Sequence, residues 1–187
     1  MSSDLRFSLR RIKPQKRRRQ LTPRPESALA FLEAAQPPLP KLLPDTTVYI
    51  DVLQGTLAGR LTGAEVWHST VTEAEMAALC GRLDPWHGKT PDIVRQLVAA
   101  IDRRPAHRIL APDRSVWQEA GILSGLLARL QGYAAPHRQR VLNDALIFCT
   151  ALQNGCTVLT RNVRDFDLLQ QLMPAGKVLF YRQAVES

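Results

Sequence analysis

Leu43-Pro44-Asp45-Thr46-Thr47-Val48-Tyr49-Ile50-Asp51 is the stretch that decides the fold of this chain. The short apolar run Lys41–Asp45 reads as a buried strand, and helical spacing follows it at once. A strand that feeds straight into a helix is one half of a βα unit. The same change of period recurs downstream. Val66–Val71, Ala106–Ala111 and Cys156–Thr160 read as three more strands that run into helices, and Lys177–Tyr181 reads as a fifth. Helical segments are predicted over Thr72–Leu83 and Thr90–Arg103, with the Pro and Gly of Asp84-Pro85-Trp86-His87-Gly88 breaking them. Two more are predicted between the third and fourth strands, broken at Gly132–Pro136. The second of these carries Val141, Leu142, Ala145, Leu146, Cys149 and Leu152 on one face and ends at Asn154-Gly155. Short buried strands alternating with helices predict an α/β fold around a mostly parallel, five-stranded sheet. Pro44 removes a ladder donor, so the first strand is expected to start or bend differently there.

The 187 residues are enough for one core of ordinary size and too few for two. Upstream of Lys41, Pro37-Pro38-Leu39-Pro40 forms a linker preceded by a helix-compatible stretch, Glu26 to Gln36. The chain is therefore divided into a basic, disordered arm over residues 1–40 and a folded domain over 41–187. The net charge of +8 belongs to the arm. Residues 1–25 hold nine Arg or Lys against the single Asp4, and the rest of the chain is formally neutral. A basic arm on a neutral domain points to a phosphate backbone as partner. No apolar run is long enough to span a bilayer. The three cysteines, Cys80, Cys149 and Cys156, form no CxxC pair, which fits a reduced, cytoplasmic compartment.

In an open parallel sheet, ligands bind beyond the carboxyl ends of the strands, so acids at strand-to-helix junctions carry the functional reading. Asp45 closes the first strand and Glu75 lies one turn into the helix after the second. Asp144 lies in the helix before the fourth strand, and Asp165 follows that strand. Like charges brought together raise one another's pKa, and divalent cations offset that cost. Hard carboxylate oxygens suit Mg²⁺ or Mn²⁺, which activate water and stabilise charge on a phosphate. Such chemistry cleaves phosphodiesters.

Each acid also has an ordinary explanation. Asp45 and Asp144 could be helix-start charges, where a cap contributes roughly 0.5–2 kcal/mol. Glu75 competes with Glu73, and Asp165 with Asp167; either of the last two satisfies the pattern. Asp51, about one and a half helical turns beyond Asp45, is expected at the surface. His68, His87, His107 and His137 fall at no metal-ligand spacing and are given no role. Among Trp67, Trp86 and Trp117, Trp86 in its loop is the best exposed candidate for stacking a base. No Walker loop, GxGxxG or GxSxG is present.

Four segments taken together, in order, resemble the PIN-domain ribonuclease family, and within it the VapC-like toxin branch. They are Asp45-Thr46-Thr47-Val48-Tyr49-Ile50-Asp51, Ser69-Thr70-Val71-Thr72-Glu73-Ala74-Glu75, Asn143–Leu152, and Leu159-Thr160-Arg161-Asn162-Val163-Arg164-Asp165-Phe166. The resemblance spans about Leu42 to Tyr181. It implies a three-layer PIN-like fold in which Asp45, Glu75, Asp144 and Asp165 are the catalytic, metal-holding acids, with Thr46, Thr160 and Asn162 positioning ligands, water or phosphate. It further implies Mg²⁺- or Mn²⁺-dependent cleavage of RNA, a cognate antitoxin and a homodimer. The alternatives are a non-catalytic RNA-binding or regulatory PIN-like protein and a DNA nuclease of the same fold.

Overall fold

The computed structural model describes residues 5–55 and 57–183. Asp4, counted above in the charge of the arm, and residues 184–187, assigned above to the domain, lie outside the described residues. Among the described residues five strands are present where the sequence places them, each shorter than its apolar run: β1 (Leu42–Pro44), β2 (His68–Ser69), β3 (Ile109–Leu110), β4 (Thr157–Thr160) and β5 (Lys177–Phe180). All pairings are parallel, as β1-β4-β5 and β2-β3.

A single bridge, Leu42 to Val66, joins the two sets into the order β3-β2-β1-β4-β5. At that bridge the Leu42 N–H donates to Glu65 O (2.9 Å) and the Trp67 N–H donates to Leu42 O (2.8 Å). The amide of residue 42 thus faces β2, and by strand alternation so would that of residue 44, which is proline. Pro44 therefore ends the β1–β2 ladder. On the other side the ladder continues, with the Asp45 N–H donating to Leu159 O at 3.0 Å.

The helices are α1 (Leu5–Ile12), α2 (Thr46–Leu53), α3 (Thr70–Arg82), α4 (Thr90–Asp102), α5 (Arg114–Gln131), α6 (Ala135–Gln153) and α7 (Val163–Leu172). Small polar residues start three of them. Ser69 accepts from the Val71 N–H, Asp113 from Val116 and Asn162 from Asp165. Gly132, at φ 66°, ends α5 in the left-handed conformation that glycine adopts without strain.

Strand alternation sorts the core into two layers. Leu43, Val158, Val178 and Phe180 pack with the apolar faces of α5, α6 and α7, while Leu42, Leu159 and Leu179 pack on the opposite face with Val48 of α2. The result is the three-layer α/β arrangement that the sequence predicts.

The arm departs from its expected disorder. Ile12 is fully buried in the larger core, Arg11 pairs with Glu119, and Arg129 donates to the carbonyls of Pro14 and Arg17. Further along, Arg24 is bound to the buried Asp167, its Nε 2.6 Å from Oδ1 and its backbone N–H 2.9 Å from Oδ2. Phe31 bridges Phe180, whose N–H donates to Ala30 O at 2.8 Å, so the arm covers the outer edge of β5. The stretch expected as helical, Glu26 to Gln36, is two single 3₁₀ turns on either side of that extended bridge. Extension at Phe31 satisfies an edge strand, which a short isolated helix between prolines cannot do.

Candidate active site

β1 leads through α2 to β2 on one side, and β4 leads through α7 to β5 on the other, so the chain switches direction between β1 and β4. A cleft of about 990 Å³ opens at the carboxyl ends of these two strands, where such a fold binds ligands. Asp45, Thr46, Glu75, Asp144, Asn162 and Asp165 all line it.

Asp45 stands at the start of α2, but its side chain makes no capping bond. It accepts instead from Thr160 Oγ1 at 2.6 Å and Thr47 Oγ1 at 3.0 Å. As the N-cap residue it still places a negative charge at the start of α2, so the helix-start explanation applies to it in part. That explanation fails for Asp144, which sits mid-way along α6, far from either end. Asp144 is buried and accepts from Asn162 Nδ2 at 3.2 Å. The same amide group is 3.2 Å from Asp165 Oδ2, so Asn162 spans two acids while its Oδ1 caps α7. Asp165 also accepts from the Tyr133 hydroxyl at 3.1 Å, and His137 Nε2 lies 3.5 Å away. Glu75 accepts from Thr46 Oγ1 and, at 2.7 Å, from Asn143 Nδ2.

The two rivals among the acids point elsewhere. Glu73 pairs with Arg104 (3.2 Å), and Asp167 with Arg24. Glu75 and Asp165 are thus the members of each pair that face the cleft. Asp51 is not at the surface as expected. It is fully buried, accepting from the Tyr181 hydroxyl at 2.7 Å with Arg161 Nε at 3.2 Å.

Among the described residues no Lys or Arg forms an ion pair with Asp45, Glu75, Asp144 or Asp165. Burial, and then the neighbouring charges of Asp45, Asp165 and Glu75, hold the Asp144 carboxyl well above its ordinary range. Asp45 is raised as well, by burial first, although the Thr160 and Thr47 hydroxyls work against the rise. Burial beside Asp165 pushes the Tyr133 hydroxyl up to about 12, so it remains a donor at neutral pH.

By kind, this set of hard, mutually repelling oxygen donors fits a divalent cation. Among the described residues, however, no three His, Cys, Asp or Glu are gathered into a cluster that could hold a metal ion. The acids share a cleft without meeting at one point.

Sequence reasoning missed Asn143, Tyr133 and His137. His137 precedes Asp144 by seven residues, hence by two turns on one face of α6, and that spacing was the available signal. Thr160, expected to position a ligand, is buried beneath the cleft and positions Asp45.

Residues 42–170 match the family model of the PIN domain. The chain belongs to the PIN domain family. PIN domains are in general nucleases and usually use divalent metal ions. The fold is similar to that in the structure of FitAB bound to an IR36 DNA fragment (23% identity, TM-score 0.56, covering 78% of this chain and 98% of that one). It is also similar to FitAcB from Neisseria gonorrhoeae (24%, 0.55, 74% and 96%). A third is VapBC2 from Rickettsia felis bound to a promoter DNA fragment (17%, 0.50, 76% and 98%). No curated protein sequence matches. At these identities the likeness is one of fold.

Proposed function

We propose that this PIN domain is a metal-dependent endoribonuclease, the toxin of a type II toxin–antitoxin pair. The observation that carries the reading is the set of acids at the strand switch point, Asp45, Asp144 and Asp165 buried and Glu75 partly so, held by hydroxyl and amide donors with no Lys or Arg ion-paired to them among the described residues. Burying carboxylates in this way is costly unless a cation joins them. Asp45, Glu75, Asp144 and Asp165 are the residues that would hold Mg²⁺ or Mn²⁺. Such an ion, once bound, lowers the pKa of an attacking water and offsets charge developing on the phosphate. The chain's own contribution is orientation. Thr160 and Thr47 fix Asp45, Asn162 spans Asp144 and Asp165, and Thr46 with Asn143 fixes Glu75. The toxin assignment draws on the likeness to FitAB and VapBC2, and with it come a cognate antitoxin, a homodimer and a cytoplasmic setting.

The test is cleavage of total cellular RNA by purified protein in Mg²⁺ or Mn²⁺, beside EDTA and an Asp144→Asn control. Metal-dependent cleavage lost in the variant supports the reading. Absence of cleavage by folded protein free of copurified inhibitor contradicts it. A second reading, a non-catalytic RNA-binding or regulatory protein, is favoured by the lack of a ready metal cluster among the described residues. It predicts RNA binding that EDTA leaves unchanged, with no cleavage in any divalent ion. Cleavage of DNA in place of RNA would instead make the chain a DNA nuclease of the same fold.

A further inference from the structure

The cleft extends well beyond its acids. Its far rim is formed by Ala111 and Pro112, which follow β3, and by Trp117 in the first turn of α5. β3 lies two strands from β1, which sets this rim roughly 10 Å from the strand that carries Asp45, at about 4.8 Å per strand. Trp117 lines the cleft and is 51% exposed, so much of a large apolar side chain is left in solvent there. An indole left half in water beside a polar site has a stacking face to offer. Two arginines line the same cleft, Arg82 at the end of α3 and Arg140 on α6, and both are exposed. Arg140 precedes Asp144 by one turn, on the same helix face, and acts against the rise in that carboxyl's pKa. Neither arginine forms an ion pair with an acid among the described residues.

A polyanion meets repulsion at four carboxylates, so a substrate cleft needs cationic side chains beside them and a charge-neutral grip away from them. Arg82, Arg140 and Trp117 are of those two kinds. We propose that Trp117 is a base-stacking platform for single-stranded RNA, with Arg140 and Arg82 taking the flanking phosphates as the strand passes toward the acids. This rests on the reading of the cleft as a ribonuclease site. Stacking on one aromatic face tolerates any base, because every base has a π-face, so Trp117 supplies affinity without choosing a sequence. Base stacking needs a strand whose bases are unpaired, which selects single-stranded over duplex RNA. Trp86, the ring the sequence favoured, is 92% exposed in the α3–α4 connection but does not line the cleft.

The experiment is equilibrium binding of a labelled single-stranded RNA oligonucleotide to the full chain in EDTA, where turnover does not interfere. Trp117→Ala is expected to weaken binding roughly tenfold or more, Trp117→Phe to restore most of it, and Trp86→Ala to leave it unchanged. Arg140→Gln is expected to flatten the dependence of log Kd on log salt by about 0.7, the release expected for one phosphate contact on a single strand. Trp117 is half exposed, so the fold should survive its loss, and matching thermal midpoints confirm that each variant is folded. Wild-type affinity in Trp117→Ala overturns the proposal, as does an equal loss in Trp86→Ala, duplex RNA bound as tightly as single strands, or no RNA binding at all. Trp117-dependent binding without cleavage under any metal would sink the nuclease reading and leave the platform standing. Cleavage with Trp117-independent binding would do the reverse.

Discussion

Two groups of buried acids in this molecule have opposite surroundings. Asp167, Asp51 and Glu119 each meet an arginine: Arg24, Arg161 and Arg11. Asp45, Asp144 and Asp165 meet hydroxyls and one shared amide, with His137 Nε2 3.5 Å from Asp165 and no arginine paired to them among the described residues. In the first group burial is neutralised within the chain, and two of the three arginines belong to the N-terminal arm. Those acids hold the molecule together. In the second group repulsion is left in place at the mouth of a cleft, and such a site is completed by a ligand that brings positive charge.

The contrast can be broken by substitutions that remove charge without changing shape. The largest effect is expected at Asp144→Asn, where metal-dependent RNA cleavage should fall by roughly a hundredfold or more, read from initial rates on a defined oligonucleotide. An unchanged rate would return Asp144 to the class of structural acids. Next comes Asn162→Ser, which keeps an oxygen to cap α7 but removes the amide that spans Asp144 and Asp165. Its expected outcome is a loss of activity of roughly 10- to 100-fold with little change in stability. Stability and activity falling together would show that Asn162 acts only as a cap.

In the paired group the effect is smaller and on stability. Arg24→Ala removes the cationic partner of buried Asp167, which keeps a hydrogen bond from Gln171 Nε2 (3.0 Å), and should cost about 1–3 kcal/mol in denaturant unfolding, with cleavage by the folded fraction retained. A neutral outcome would mean that the arm is held without this ion pair. The smallest effect is one of pH. The folded carboxyl of Asp144 sits above the 3.8 of an ordinary aspartate, so the folded state keeps a proton that the unfolded chain releases. Its contribution in metal-free solution is therefore most favourable below 3.8 and declines as pH rises from there toward the raised folded value, then levels. Asp144→Asn should remove that decline, so the two unfolding profiles should diverge over that pH range. Parallel profiles would contradict the shift.

All five strands were legible in the sequence, because a strand that gives way to helical period marks a junction, and the acids near those junctions were legible as candidates, with Asp165 and Asp167 left as alternatives. What escaped was anything set by tertiary neighbours. Glu75 and Glu73 differ only in whether Asn143 or Arg104 stands opposite, and Asp165 and Asp167 only in whether Tyr133 or Arg24 does. Asp51 looked superficial because nothing in its own segment announces Tyr181 and Arg161. The arm looked disordered because its charge hides sparse apolar anchors, Ile12, Phe31 and Leu32, whose binding sites are made by α5 and β5.

Cleft acids that repel one another until a divalent cation joins them should reveal it in thermal unfolding of wild type and Asp144→Asn, each in EDTA and in Mn²⁺. In EDTA the variant is expected to melt above wild type, while Mn²⁺ raises the wild-type midpoint and moves the variant little. A wild-type midpoint indifferent to Mn²⁺, together with a variant that melts lower in both solutions, would contradict it and make Asp144 one more acid that serves the fold.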